Sequence, residues 1–238
     1  MNFSVIIPAY NEEKYLAATL EKIYQALNSI SYQSEVIVVN NESKDKTGEI
    51  AESFGAQVVN ETIHNIARVR NTGAKSASGD VLIFIDADTL VSDEVFQRIV
   101  ENMQNEKCFG GAVAVDYGEF QRKWMKLYSL GWKFWGNVFN MRGGAAQFCR
   151  KQIFHEIDGY DESIYLGEDV EFYWRLAKFS KRMGGFLQFI EDLAVTTSTR
   201  RFEKMSLCKT LLLTHPFYIM LNYKRKSAWK DWYDNAVR

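Results

Sequence analysis

The chain has 238 residues, of which 47% are hydrophobic and 25% are charged, a balance typical of globular proteins. Its length accommodates one large α/β domain or two small ones. The formal net charge of −1 gives no reason to expect nucleic acid binding. Three widely separated cysteines without a CxxC pair argue against a disulfide framework or a zinc site, and they suit a reducing compartment.

Charge and hydropathy are unevenly distributed along the chain. From residue 200 onward, nine Lys and Arg stand against three Asp and Glu, a net charge of +6, whereas the preceding part has 20 against 27, a net charge of −7. This pattern predicts a basic tail on an acidic body. The chain opens with a strand-like run rather than a signal peptide, and it has no run of about 18 apolar residues. We therefore expect a cytoplasmic protein without a membrane-spanning helix.

The first ninety residues alternate short apolar runs with helical patterns. The predicted strands are 3–8, 35–40, 56–59 and 81–85, and the predicted helices between them are 12–27, a segment within 42–55, and 66–76. Strands joined in this way form an α/β fold with a parallel sheet and right-handed crossovers. Neither the GxGxxG fingerprint nor the P-loop pattern is present, so a nucleotide would have to be held in another way.

Two carboxylates follow the most apolar of these strands. Asp86 and Asp88 come directly after 81–85, and we expect them at the carboxyl end of the sheet, where open α/β sheets bind ligands. A divalent cation relieves the repulsion between two such anions, and oxygen ligands suit Mg²⁺ or Mn²⁺. The alternative is a turn in which the aspartates bond the local backbone and Asp88 caps a helix starting near Ser92.

The second half contains an unusual aromatic segment. Between residues 122 and 140, large aromatic residues recur at helical spacing with lysines among them, namely Trp124, Tyr128, Trp132, Trp135 and Phe139. This pattern predicts an amphipathic helix that packs on the core. It is equally typical of a helix at a membrane surface or beside a groove for a lipid acceptor.

Two further segments have features of a binding site. Gly143 and Gly144 allow a ligand to approach the backbone closely. Glu168 and Asp169 follow Gly167 at the start of a predicted helix. Carboxylates in a first helical turn are stabilised by the helix dipole, which is the structural explanation for both.

Residues 199–238 are predicted to form a basic, amphipathic, helical tail. The apolar run in this tail has about eleven residues and contains Pro216, so it is too short to span a bilayer. The basic cluster at residues 224–226, followed by Trp229 and Trp232, is typical of attachment to anionic lipid. A peripheral position at the inner face of the membrane is one interpretation, and packing on the core or in a homodimer interface is the other.

Five sequence blocks resemble the signature set of family-2 glycosyltransferases. In chain order they are "VIIPAYNEEKYLAATL", "VIVVNNESKDKT", "ARVRNTGAKSASGDVLIFIDADT", "GGAAQFCRKQIFHEIDGYDES" and "GEDVEFYWRL". The resemblance covers roughly residues 3–180. It implies a GT-A, Rossmann-like fold over 1–198, with a nucleotide-binding half at 1–90 and an acceptor and catalytic half at 91–198. The implied activity is inverting, cation-dependent transfer of a sugar from a nucleotide-diphosphate sugar to an unidentified acceptor, for which a lipid-linked molecule is one candidate.

The resemblance also implies roles for individual residues. It places the nucleotide sugar against Pro8, Ala9, Tyr10, Glu12, Asn41, Arg70, Asp86 and Ala87. Asp88 would coordinate the Mg²⁺ or Mn²⁺ ion that bridges the diphosphate. Gly143 and Gly144 would lie beneath the donor sugar. Asp169 would be the catalytic base, with Glu168 as its neighbour or an acceptor contact.

The chain departs from the family pattern at the nucleobase and at the cation. Asn41 stands where an acidic residue usually accepts the imide hydrogen of uracil; its oxygen can still accept and its amide can donate. We therefore expect a UDP-sugar first and a GDP-sugar second. The metal-binding histidine of many relatives is absent, Arg200 and Arg201 are expected near the diphosphate, and the three histidines, His64 among them, are interpreted as structural.

A catalytically idle domain of the same fold, binding a sugar nucleotide or a membrane partner, is the alternative function. The joint presence of Asp86, Asp88 and Asp169 favours an enzyme, because a binding module has no need of a catalytic base.

Overall fold

The structure, a computed structural model, describes residues 1–118, 123–142, 144–200, 207–213 and 215–229. Within these residues, one eight-stranded sheet has the strand order β3-β2-β1-β4-β7-β6-β8-β5. Its strands are β1 (Phe3–Ala9), β2 (Ser34–Asn40), β3 (Gln57–Asn60), β4 (Val81–Ile85), β5 (Thr89–Leu90), β6 (Cys108–Asp116), β7 (Ala146–Arg150) and β8 (Phe186–Thr197).

Helices flank this sheet and form the described part of the tail. They are α1 (Leu16–Asn28), α2 (Thr47–Ser53), α3 (Ile66–Ser76), α4 (Asp93–Gln104), α5 (Lys123–Val138), α6 (Lys151–Glu156), α7 (Glu168–Arg182), α8 (Leu207–Leu213) and α9 (Pro216–Asn222). No helix within the described ranges is long and apolar enough to cross a bilayer.

The first half of the sheet is parallel, as predicted. β1 pairs in parallel with both β2 and β4, and β2 pairs in parallel with β3. All five residues of β4 are buried, which explains why this strand is an unbroken apolar run. The carboxyl ends of β1, β2 and β4 therefore meet at one edge of the sheet.

The second half of the sheet is mixed, and β7 determines how it joins the first half. β7 runs antiparallel to both β4 and β6, whereas β8 is parallel to β6. Because Ala146 pairs with Ile85, the segment that leads into β7 lies at the carboxyl end of β4. The backbone N–H of Asp86 donates to the carbonyl of Ala145 (3.0 Å) and fixes this junction.

The core has one layer on each face of the sheet. One apolar cluster includes Leu20 of α1 and Phe96 of α4, and the other includes Val69 of α3 and Phe172 of α7. Gly73 allows α3 to lie close to the sheet, because an added Cβ there would come within 2.4 Å of a methyl carbon of Ile6. The predicted α/β architecture with flanking helices is confirmed.

The helix predicted from residue 12 begins at Leu16. Residues 12–15 form a turn instead, in which the carbonyl of Glu12 accepts the backbone N–H groups of Tyr15 (3.0 Å) and Leu16 (2.9 Å). Asn11 has a left-handed backbone with φ of 55° and starts this turn. The turn keeps Glu12 at the edge of the sheet rather than on the surface of α1.

The described tail contains two short α-helices and a 3₁₀ helix (Lys226–Trp229), in agreement with the predicted helical character. Trp229 is buried, packs edge-on against Tyr218 and donates its indole N–H to the carbonyl of Asn222 (2.8 Å). The prediction that Trp229 is an interfacial anchor is therefore wrong. Lys224 of the basic cluster lies 3.2 Å from Asp161 of the body, while Trp232 lies outside the described residues.

Candidate active site

A cleft of about 300 Å³ opens at the edge where β1, β2 and β4 end. Its lining includes every predicted site residue that the structure describes: Pro8, Ala9, Tyr10, Glu12, Asn41, Arg70, Asp86, Ala87, Asp88, Gly144, Glu168 and Asp169. Gly143 lies outside the described residues. The cleft volume is at the lower end of the range for small-molecule sites.

The Asp-x-Asp segment is held by backbone and hydroxyl contacts at the end of β4. The carbonyl of Ala87 accepts a hydrogen bond from the Thr19 hydroxyl (2.8 Å). The carbonyl of Asp86 accepts the N–H of Thr89 (3.1 Å), which starts β5. The N-cap position of α4 is Ser92, and Asp88 instead lies 3.2 Å from Arg200 and 3.4 Å from the Thr197 hydroxyl. The capping alternative for Asp88 is therefore wrong.

Arg70 joins the two halves of the cleft through a buried ionic network. Its Nη2 lies 2.8 Å from Asp86 Oδ1, and its Nη1 lies 2.5 Å from Glu168 Oε1. Burial opposes its charge, but the carboxylates of Asp86 and Glu168 outweigh this effect and raise the pKa of Arg70 well above its ordinary value. The side chain predicted to reach the nucleotide therefore fixes the relative position of β4 and α7.

Asp169 accepts two backbone hydrogen bonds at the start of α7. Gly144 donates its N–H to Oδ2 (2.5 Å), and Val170 donates its N–H to Oδ1 (2.8 Å). Burial nevertheless raises the pKa of Asp169 above its ordinary value, with the charge of Arg70 acting in the opposite direction. A carboxylate whose charged form is destabilised in this way is a stronger proton acceptor than an exposed aspartate.

Glu168 differs from its neighbour in its partner. Burial and the adjacent Asp169 charge raise the pKa of Glu168, while its ion pair with Arg70 lowers it. Because both carboxylates are buried and adjacent, they titrate as a pair rather than independently. The ion pair with Arg70 gives Glu168 a positioning role, whereas Asp169 has no described ion pair.

Gln147 is a buried residue of the site that the sequence predictions missed. Its amide donates to the carbonyls of Arg142 (3.0 Å) and Asp169 (2.9 Å), and its oxygen accepts the hydroxyl hydrogen of Tyr160 (3.0 Å). A glutamine among the buried residues of the strand "AQFCR" is the available signal, since buried polar side chains require hydrogen-bond partners.

Asn41 has a fixed orientation at the end of the cleft where the resemblance places the nucleobase. Its amide nitrogen donates to the carbonyls of Glu61 (2.6 Å) and Ile63 (3.1 Å), which uses both of its hydrogens. Its oxygen lies 3.1 Å from His64 Nδ1, so that ring nitrogen carries the proton. The expectation that the Asn41 amide also donates to a base is therefore wrong, and only its oxygen remains as an acceptor.

His64, interpreted from sequence as structural, thus contacts two residues of the predicted donor site. Its ring centroid lies 4.7 Å from that of Tyr10, in addition to the contact with Asn41. The sequence around His64 does not predict these contacts, because they form where β1, β2 and the segment before α3 meet in the fold.

The candidate cation ligands fit an ion that is shared with a substrate. No group of three or more His, Cys, Asp or Glu side chains in the described part of the chain is arranged to hold a metal. Asp86 and Asp88 both line the cleft, however. Mg²⁺ is commonly held by one or two carboxylates together with substrate phosphates. The residues present therefore fit a cation that binds with a diphosphate, and Asp88 is the principal candidate ligand.

A sheet with parallel strands, an Asp-x-Asp pair at the end of β4 and a carboxylate pair at a helix start is the arrangement that the resemblance to GT-A glycosyltransferases implies. The sequence profile of glycosyl transferase family 2 matches residues 4–158, which is more than half of the chain. The chain belongs to glycosyl transferase family 2, and the resemblance seen in the five sequence blocks is confirmed.

Comparison with known sequences also shows how much of a relative the chain represents. Glycosyltransferase AglE of Haloferax volcanii is 28% identical over 223 residues, which are 85% of this chain and 68% of AglE. Other curated glycosyltransferases match over a shorter range. The uncharacterized glycosyltransferase EpsJ of Bacillus subtilis and the dolichol-phosphate mannosyltransferase of Pyrococcus furiosus each match over 110 residues, which are 31% of their own length.

Solved structures with a similar fold include the following two. S. aureus TarS 1–349, in complex with UDP, superposes with a TM-score of 0.60 at 20% identity, covering 90% of this chain and 66% of that one. The mannosyltransferase PcManGT from Pyrobaculum calidifontis, in complex with GDP-Man and Mn²⁺, has a TM-score of 0.60 at 19% identity, covering 82% and 56%. At these identities the similarity shows a shared fold.

Proposed function

We propose that this protein is an inverting glycosyltransferase that moves a sugar from a nucleotide-diphosphate sugar to an acceptor hydroxyl. The observation that carries the proposal is that Asp86, Asp88 and Asp169 line one cleft, although Asp88 and Asp169 are 81 positions apart in the chain. In this assignment residues 1–90 bind the donor and residues 91–198 supply the acceptor side and the base.

Asp169 has the environment that the base of an inverting transfer needs. As the acceptor oxygen attacks the anomeric carbon from the face opposite the diphosphate, its proton passes to a carboxylate. Burial raises the pKa of Asp169, and the N–H groups of Gly144 and Val170 hold its carboxyl group in place. The role proposed for Glu168 is to hold Asp169 in position through its ion pair with Arg70, rather than to accept the proton.

The leaving group is handled at the other side of the cleft. Asp88 would hold a Mg²⁺ or Mn²⁺ ion, which neutralises the charge that develops on the diphosphate. Asp86 is oriented by Arg70 and is proposed to contact the ribose. Pro8, Ala9 and Tyr10 border the same side and support a position for the nucleoside there.

The fixed Asn41 amide supports a UDP-sugar over a GDP-sugar. Uracil offers one imide N–H between two carbonyls, and the Asn41 oxygen is one acceptor. Guanine offers two adjacent donors on one edge, which a carboxylate would satisfy better than a single amide oxygen. Donor sugar and nucleotide are tested together by calorimetric titration of UDP-sugars and GDP-sugars in the presence of Mn²⁺.

The same titration tests the cation. We expect EDTA or Asp88→Asn to weaken donor binding severely. Asp80→Asn is the matched control because Asp80 immediately precedes the opposite end of β4 and is exposed. Unchanged donor affinity in EDTA would contradict the cation role. Donor binding without any transfer or donor hydrolysis would favour the catalytically idle module.

The surface of α5 supports a lipid-linked acceptor or a peripheral position at a membrane. Large apolar side chains are exposed along and just after this helix: Leu130, Phe134, Trp135, Val138 and Phe139. The helix lies in the chain between Tyr117 and Gly144, which both line the cleft. Trp174 of α7 donates its indole N–H to the carbonyls of Phe139 (3.2 Å) and Asn140 (3.0 Å) and so ties the end of this segment to the catalytic helix.

Sedimentation with vesicles tests this part of the proposal. Phe134→Ser and Phe139→Ser together should reduce binding to anionic vesicles, because both side chains are more than half exposed. If the wild-type protein binds neither anionic nor neutral vesicles, a dimer interface on α5 is favoured instead.

A further inference from the structure

Arg200 joins two carboxylates at the cation side of the cleft. Its Nη2 lies 2.6 Å from Glu12 Oε1 and 3.2 Å from Asp88 Oδ2. The guanidinium carbon lies 4.3 Å from the centroid of the Tyr15 ring, and the side chain is only 12% exposed. A positive charge is therefore fixed on the carboxylate that, under the proposed function, a divalent cation requires.

A divalent cation bound at Asp88 would be repelled by the guanidinium of Arg200. A Mg²⁺ ion lies about 2.0–2.1 Å from a ligand oxygen, so it would come within a few ångströms of Arg200. Two positive charges at that separation repel each other, and the repulsion is stronger in a partly buried cleft than in water. Cation binding to the nucleotide-free protein would therefore have to displace Arg200 from Asp88.

A diphosphate supplies an alternative partner for the guanidinium. Arginine recognises phosphate oxygens with two parallel hydrogen bonds, and it does so more strongly than it pairs with one carboxylate oxygen at 3.2 Å. We infer that Arg200 serves as an internal cation on Asp88 in the nucleotide-free protein and that its transfer to the diphosphate makes Asp88 available. The inference rests on the proposed function and makes Arg200 a donor-binding residue that also controls the access of the ion to Asp88.

Competition between Arg200 and the ion for Asp88 can be detected without measuring catalysis. If Arg200 competes with the ion for Asp88, removing the guanidinium must raise the affinity of the nucleotide-free protein for a divalent cation. If Arg200 only stabilises the fold, its removal would leave that affinity unchanged or lower it. The direction of the change therefore separates the two roles.

The test is a titration of Mn²⁺ into nucleotide-free protein, with free Mn²⁺ measured by electron paramagnetic resonance. We expect Arg200→Gln to bind Mn²⁺ at least about fivefold more tightly than wild type, the lower end of typical coupling between two sites. Arg98→Gln is the matched control, because Arg98 is paired with Glu101 and Asp192 on the surface. Adding UDP should raise the Mn²⁺ affinity of wild type by a larger factor than that of Arg200→Gln.

A second variant guards against a loss of folding. Arg200→Met keeps an unbranched stem over Tyr15 and should give the same increase, with circular dichroism confirming that both variants are folded. Equal or weaker Mn²⁺ affinity in a folded Arg200 variant overturns the inference. So does an increase that persists when Asp88→Asn is added, since the ion would then bind elsewhere.

The proposed function fails in a different arm of the experiment. If wild-type protein with Mn²⁺ binds neither UDP nor GDP, the donor assignment is wrong. The nucleotide-free comparison of Arg200→Gln with wild type still reports on the competition at Asp88.

Discussion

The side-chain amide of Gln147, the second residue of β7, donates to the backbone carbonyl of Asp169 over 2.9 Å, which ties the start of β7 to the first turn of α7. The same nitrogen donates to the carbonyl of Arg142, two residues before Gly144, whose N–H donates to the Asp169 carboxylate. One buried amide therefore braces both segments that hold the proposed base.

We expect Gln147→Met to lower kcat by about 10²-fold while leaving the KM for the donor within a few-fold, because a base displaced by about 1 Å loses alignment with the acceptor. The unpaired carbonyls and the Tyr160 hydroxyl should also reduce the free energy of unfolding by about 1–3 kcal/mol each. Steady-state kinetics and urea denaturation measure both effects. Gln97→Met, at an exposed position of α4, is the control, and an unchanged kcat in Gln147→Met would contradict the positioning role.

The pH dependence of transfer should reflect the raised pKa of Asp169. Burial is the main cause of the increase, so the acid limb of the kcat profile should lie above the pKa of an ordinary aspartate, and activity should fall as the carboxylate becomes protonated. The same raised pKa affects stability in the opposite direction to activity as pH rises. Because the folded form binds this proton more tightly than the unfolded chain, the contribution of Asp169 to the free energy of unfolding, measured as the difference from Asp169→Asn, should decrease as pH rises from the ordinary to the raised value.

Kinetic profiles and thermal unfolding across the same pH range check both statements. An acid limb at the pKa of an exposed aspartate would show that Asp169 is not the group that controls the rate.

Restoring the acidic residue of the family at position 41 should be harmful in this chain. Asn41→Asp removes both hydrogens that the carbonyls of Glu61 and Ile63 accept, and it places a carboxylate against them. We expect a loss of about 2 kcal/mol or more in the free energy of unfolding, together with weaker UDP binding. Denaturation and calorimetry measure these quantities, with Asn60→Asp on the exposed end of β3 as control. Tighter UDP binding at unchanged stability would contradict the fixed amide.

The buried network of Arg70 should be strongly coupled. Arg70→Met leaves the Glu168 carboxylate buried without its cation, which should cost about 3–5 kcal/mol of stability. Adding Glu168→Gln should recover part of that loss, because no unpaired charge then remains at this position. A double-mutant cycle by chemical denaturation measures the coupling, and additive losses would show that the two side chains act independently.

Local signals in the sequence were sufficient for the parallel half of the fold. The apolar run of β4 and the small-residue pattern of α3 have the predicted bounds of 81–85 and 66–76, because burial on both faces and helix packing leave clear periodicities. The antiparallel insertion of β7 beside β4 is a long-range pairing, and no local periodicity specifies it.

The candidate site likewise has features that local sequence signals predict and features that depend on long-range contacts. Asp86, Asp88 and Asp169 were predicted because they stand at the end of a strand or the start of a helix in blocks that resemble the family. The contact of Arg200 with Glu12 joins residues 188 positions apart, and the locked orientation of Asn41 depends on two backbone carbonyls. Spacing in the sequence does not contain either relationship.

The most direct measurement of the central claim is turnover of the preferred nucleotide sugar by Asp169→Asn, alongside the calorimetric affinity of the same variant for that donor. Cleavage of the donor is measured both as transfer of the sugar to an acceptor hydroxyl and as hydrolysis by water. We expect turnover to fall by about 10²–10⁴-fold while donor affinity stays within a few-fold of wild type, because a base acts only in the transition state. Wild-type turnover by a folded Asp169→Asn protein would contradict the claim that Asp169 accepts the proton.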